Sequence, residues 1–219
     1  MAILTPGFHE LLFTERQQRY TLSIPAGYTG EEPVPFVFCL HWGGQVTPFY
    51  GRELLESVVE PGLRELGAIM AAPDCQHGHW NNPASESEAL ALIAHLCGQY
   101  ALDLTRTLLT GYSKGGLGTW YLGPRQPDLF AAALPLAARP APDPAQSGWR
   151  IPLYALHGRE DELFPPDEVE AMVALLRMQG ADVRLTLLDG VTHYASGRFV
   201  RPLRELVPWI KAMWARRAG

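Results

Sequence analysis

The sequence predicts an α/β fold: a mostly parallel central sheet with helices on both faces, within a single domain of residues 1–219. Three observations predict it. Apolar runs without polar alternation recur at Phe36–Leu40, Ala68–Ala72, Leu129–Leu136, Ile151–Leu156 and Val183–Leu188, the pattern of strands buried on both faces. Amphipathic stripes at helical spacing fall between them. Polar clusters close several strands, at His41–Gly44, Ser113, His157–Asp161 and His193. Ligands of parallel sheets bind at the carboxyl ends of the strands, so these clusters mark one candidate site.

The 219 residues, 47% of them hydrophobic, and a mean hydropathy of −0.05 describe a soluble chain able to bury a sizeable core. A net charge of −5 and a pI of about 5.8 supply no attraction for nucleic acid or an anionic membrane. Arg198, Arg201, Arg204, Arg216 and Arg217 read as a solvated helix face. No basic-then-apolar leader is visible and no apolar run is long enough for membrane insertion, while Cys39, Cys75 and Cys97 lack metal-ligand spacing. Reduced thiols and a cytoplasmic location are the expectation.

In chain order, residues 8–24 alternate weakly and include Tyr20–Ile24, which predicts antiparallel edge strands before a turn-rich stretch from Pro25 to Pro35. Leu54, Leu55, Val58 and Val59 stripe a helix that Pro61-Gly62 bends or breaks. The loop from Pro73 to Asn82 is polar and aromatic and is expected to border the site. Its His77 and His79 have no further ligand cluster and read as loop residues. Ser85 and Glu88 form a capping-box pair ahead of Ala89, Leu92, Ile93 and Leu96, a stripe that Gly98 ends. Ala137–Arg150 is a proline-rich loop into which no lid domain fits. Pro165-Pro166-Asp167-Glu168 opens the clearest helix, striped by Val169, Met172, Val173 and Leu176. Arg198–Arg217 is helical, its start obscured by Pro202 and Pro208.

The chain is organised around Gly111-Tyr112-Ser113-Lys114-Gly115-Gly116, between the branched run Arg106–Thr110 and a helical stripe of Leu117, Trp120 and Tyr121. G-x-S-x-G at a strand-to-helix turn is a nucleophile elbow, in which glycines clear the space around a strained serine. Serine is a weak nucleophile at its free pKa and needs a base, and the base needs an orienting acid. Ser113, Asp161 and His193 stand in the order serine, acid, histidine. Glu160 and Glu162 flank the acid and are its alternatives, whereas among the seven histidines only His193 follows it. Negative charge developing on an attacked carbonyl oxygen calls for two backbone donors. One is the Lys114 N–H, and the other comes from Trp42 or Gly43. Trp42, Trp80, Phe164 and Tyr194 are candidates to line the substrate pocket, or else pack in loops.

Tyr100–Arg106, Gly111–Gly116, Gly118-Thr119-Trp120 and Pro127–Ala133 together resemble the α/β-hydrolase superfamily, in its feruloyl esterase and polyhydroxybutyrate-depolymerase-like branch. The phospholipase/carboxylesterase branch is nearly as similar. The resemblance runs from about Phe36 to the C-terminus, and it implies the acid role for Asp161 and the base role for His193. Two positions depart from it: His41-Trp42 replaces the usual His-Gly, and Lys114 follows the serine in place of methionine or glutamine. The resemblance implies a serine esterase acting on a small-molecule ester with no metal or other cofactor. A peptidase or thioesterase with the same triad, or a noncatalytic binding protein on the same fold, are the alternatives.

Overall fold

A computed structural model describes residues 4–140 and 149–218. Residues 141–148 of the expected proline-rich loop lie outside the described residues. Strands β1 (Gly7–Phe13), β2 (Gln18–Ile24), β3 (Val34–Leu40), β4 (Ile69–Pro73), β5 (Leu102–Tyr112), β6 (Ala132–Leu136), β7 (Leu153–Gly158) and β8 (Val183–Leu188) form one sheet. Their order is β1-β2-β4-β3-β5-β6-β7-β8. Pairs β1–β2 and β2–β4 are antiparallel and every other pair is parallel, as the weak alternation at the N-terminus and the continuous apolar runs beyond it predict.

Strand β3 shows why those runs are apolar throughout. Successive side chains leave opposite faces of a strand, so Phe36, Phe38 and Leu40 enter one core and Val37 and Cys39 the other. The first core lies under α3 (Pro83–Cys97), α4 (Lys114–Arg125) and α5 (Pro166–Met178), through Leu92, Trp120 and Val173 among others. The second lies under the 51–66 helical segment, α6 (Val200–Glu205) and α7 (Val207–Ala218).

Several local expectations are corrected. The 51–66 segment is not simply broken at Pro61: α1 (Gly51–Leu54) widens into a π-helical turn (Leu55–Val59) before α2 (Glu60–Leu63). The Glu60 N–H reaches back five residues to the Leu55 carbonyl, and Pro61, which has no N–H to place, sits in the first turn of α2. The α3 cap is Asn82, whose side chain accepts the Ser85 N–H at 2.9 Å. Pro83 fixes the first helical φ, so the cap falls one residue before it, and Glu88 pairs with Arg16 instead. Strand β6 starts at Ala132, because the Leu129 and Phe130 N–H groups are used in a turn onto the Gln126 carbonyl. Pro202 and Pro208 each stand in the first turn of their helix, α6 and α7, where no N–H is required. Arg217 is half-buried rather than free in solvent, for its guanidinium donates to the Pro127, Asp128 and Phe130 carbonyls.

Candidate active site

Ser113 stands alone between β5 and α4, at φ 55° and ψ −115°. This is a sparsely populated conformation for a residue with a side chain, costing on the order of 1–3 kcal/mol. The surroundings impose it. A Cβ on Gly115 would collide with the Leu40 carbonyl, and one on Gly111 with the Gly115 backbone, so strand and helix approach this closely only because both are glycine. The Ser113 N–H is bound to the Leu136 carbonyl of β6 at 2.9 Å, and its hydroxyl faces out beside the first turn of α4.

The loops after β7 and β8 meet that hydroxyl. His193 Nε2 lies 2.8 Å from Ser113 Oγ, and His193 Nδ1 lies 2.8 Å from Asp161 Oδ2. With Nδ1–H donating to the carboxylate, Nε2 is left as the acceptor for the serine proton. Asp161 is 6% exposed. Burial pushes its carboxyl up, but the His193 hydrogen bond and the Phe164 and Leu163 N–H groups outweigh that and hold it below the ordinary carboxylate value.

Glu160 and Glu162 do not compete for the ring. Glu162 accepts the His193 backbone N–H at 2.8 Å and Glu160 accepts the Val191 N–H at 3.0 Å, so both hold the histidine loop by its backbone. Tyr112, not singled out by the sequence, donates its hydroxyl to the His193 carbonyl at 2.6 Å. His157 is fully buried with Nε2 2.8 Å from the Phe164 carbonyl and 3.6 Å from Asp161 Oδ2. Burial lowers its pKa, so it serves as a neutral prop under the acid loop.

On the other side of Ser113, the loop after β3 is gripped by side chains. Trp80 Nε1–H donates to the His41 carbonyl at 3.0 Å, His41 Nδ1–H to the Trp42 carbonyl at 2.6 Å, and Tyr50 O–H to the Gly43 carbonyl at 3.1 Å. The Lys114 side chain lies over Gly43 and its ammonium donates to the Gly78 carbonyl at 3.1 Å. The Lys114 backbone N–H belongs to the first turn of α4, where no intrahelical acceptor exists for it.

Between the two sides opens a cleft of about 500 Å³ lined by Trp42, Gly43, Ser113, His193 and Tyr194, with Glu53, Tyr112, Leu163 and Ser196 completing its wall. Of the expected pocket residues, Trp42 and Tyr194 lie in this wall. Trp80 does not: it is 1% exposed, packed on Gly118, and its indole is spent on the His41 carbonyl. Phe164 sits behind the wall with its ring edge-on to His193 at 5.3 Å, and Leu163 takes the place expected for it.

The chain is 26% identical over 176 residues to the probable feruloyl esterase C of Aspergillus niger, covering 75% of this chain and 61% of that protein. In structure it is similar to a thermostable esterase, with a TM-score of 0.78, 22% identity, and coverage of 94% of this chain and 62% of that one. Est1E of Butyrivibrio proteoclasticus gives a TM-score of 0.71 at 17% identity, covering 94% of this chain and 99% of that one. The chain thus spans about three fifths of the first two proteins and nearly all of the third. The fold is that of the α/β-hydrolases, and residues 75–204 match the dienelactone hydrolase family, to which the chain therefore belongs.

Proposed function

We propose that the protein is a serine hydrolase that cleaves carboxylic esters through an acyl-enzyme. The observation that carries this reading is the relay of two 2.8 Å contacts from Ser113 through His193 to Asp161, opening on a cleft at the carboxyl ends of the strands. His193 Nε2 takes the Ser113 proton as Oγ attacks the ester carbonyl, and Asp161 stabilises the imidazolium. The alcohol leaves with that proton. Water then attacks the acyl-serine, giving its proton to His193, and the carboxylic acid departs as Ser113 is reprotonated. The oxyanion of each tetrahedral intermediate faces the Lys114 N–H and a second amide from Trp42 or Gly43. Small or aromatic acyl groups suit the walls of Trp42, Tyr112 and Tyr194, in keeping with the feruloyl esterase among the relatives.

Hydrolysis of p-nitrophenyl esters of increasing acyl length tests this, with a fluorophosphonate probe beside it. Turnover and labelling by wild type, both absent in Ser113→Ala, is the expected result. A thioester or peptide amide cleaved faster than every ester would move the substrate class, and an unlabelled Ser113 would overturn the mechanism.

A further inference from the structure

The carbonyls of His41, Trp42 and Gly43 are consecutive, and each accepts a hydrogen bond from a different side chain: Trp80, His41 and Tyr50. A trans peptide is planar, and the carbonyl of one residue points opposite to the N–H of the next. Holding these three carbonyls therefore aims the N–H groups of Trp42, Gly43 and Gly44. His41 and Trp80 are each 1% exposed, and neither they nor Tyr50 line the cleft, whereas Trp42 and Gly43 line it together with Ser113. The carbonyls are thus drawn away from the serine. Neither the Trp42 nor the Gly43 N–H has an acceptor among the described residues.

We propose that His41 and Trp80 are positioning residues that set this loop's amides for the oxyanion, and that the Gly43 N–H, aimed by His41, is the donor that acts with the Lys114 N–H. The proposal rests on the ester-hydrolase reading and deepens it. His41 is the best-anchored of the three braces. The Cys75 N–H donates to its Nε2 at 3.0 Å, and its ring meets Tyr50 and Trp80 edge-on at 4.9 and 5.1 Å. Both ring nitrogens are thus assigned, Nδ1 as donor and Nε2 as acceptor, which only the neutral ring satisfies. Burial keeps it neutral by pushing its pKa down to about 4. Tyr50 is anchored in turn, since Asp74 accepts the preceding Phe49 N–H at 2.9 Å.

Each brace controls a different amide, so a variant series identifies the donor. His41→Gln keeps an acceptor for Cys75 but loses the Nδ1 donor. It is expected to lower kcat on p-nitrophenyl acetate by about 10–100-fold with little change in KM, and to weaken a trifluoromethyl ketone inhibitor by the same factor. His41→Asn places an N–H near the Nδ1 position and should recover most of both. Tyr50→Phe removes only the bond that aims the Gly44 amide and should change either quantity by less than about threefold. The rate of fluorophosphonate labelling, in which the P=O oxygen takes the oxyanion's place, should rank the variants in the same order.

A larger effect from Trp80→Phe than from His41→Gln, at equal thermal stability, would overturn Gly43 in favour of Trp42. Loss of kcat without weaker inhibitor binding would overturn the positioning role, as would a His41→Gln enzyme indistinguishable from wild type. Wild type inert towards both ester and probe would overturn the hydrolase reading and this inference together.

Discussion

The two sides of Ser113 use backbone and side chain in opposite ways. On the His193 side the side chains perform the proposed chemistry, and Glu160, Glu162 and Tyr112 hold the loop that carries them by its N–H and carbonyl groups. On the Trp42 side the proposed chemistry belongs to backbone amides, and the side chains of His41, Trp80 and Tyr50 hold the loop by its carbonyls. The difference teaches where each kind of error is costly. A side chain that reacts through its tip tolerates a small shift of its loop, because χ rotations absorb it. A peptide N–H has no such freedom, so its direction must be fixed where the peptide itself sits.

The strongest break of this comparison comes from the reacting groups. Ser113→Ala and His193→Ala should each lower kcat by about 10⁴-fold or more, and the double variant should lose hardly more than either single one, as groups acting as a unit do. Separate, additive losses would mean that the two do not act together. Asp161→Asn should cost about 10³–10⁴-fold, because an amide no longer selects the tautomer that leaves Nε2 free to accept. Steady-state kinetics on one ester checks all four proteins. If Glu160→Gln or Glu162→Gln lost as much as Asp161→Asn, the acid would be misassigned.

How much was legible beforehand follows the same division. Ser113, Asp161 and His193 are readable because the chemistry demands those residue types in that chain order, and the structure brings their side chains into contact. Glu160 and Glu162 have the same chemistry as Asp161, so residue type could not separate them; only the direction of each side chain did. The choice between Trp42 and Gly43 was illegible because every residue but proline carries an N–H. The place of Trp80, pocket wall or loop packing, was illegible for a related reason. An aromatic residue in a polar loop looks like a pocket wall, and nothing local reveals that Gly118 leaves a recess for its ring or that a carbonyl awaits its indole. The parallel sheet was legible from its apolar runs, while the π-helical turn before Pro61 depends on how a whole helix packs.

The buried histidine of the Trp42 side also makes that side the more sensitive to acid. An imidazole has a reference pKa of 6.5, and folded His41 is lowered to about 4. Below pH 6.5 the unfolded chain takes up a proton that folded His41 does not, so the unfolded state binds more protons and stability falls as the pH drops, until about pH 4. At pH 5 the loss from this residue is about 2 kcal/mol. His157 shifts in the same direction. Asp74, pushed up by burial, and Asp161, held down by its hydrogen bonds, are common to wild type and variant, so the difference between the two proteins isolates His41. Urea unfolding of wild type and His41→Asn across that window should show a shallower pH slope in the variant. Equal slopes would mean that His41 is protonated in the native state at pH 5.

The smallest expected effect sharpens the comparison most. Glu162→Ala removes the acceptor for the His193 N–H on a solvent-exposed carboxylate, while Tyr112 still holds the carbonyl of the same residue. The ring remains tied to Asp161 through Nδ1, so kcat should fall by no more than about tenfold, and Glu162→Gln, which keeps an acceptor oxygen, should restore most of it. Glu160→Ala should cost less still, because its partner, Val191, lies two residues before the histidine. These losses are expected to stay below that of His41→Gln, although every one of the three variants removes a single hydrogen bond to the backbone. If Glu162→Ala instead equalled or exceeded His41→Gln, backbone direction would matter as much beside a reacting side chain as beside a reacting amide, and the contrast between the two sides of Ser113 would fail.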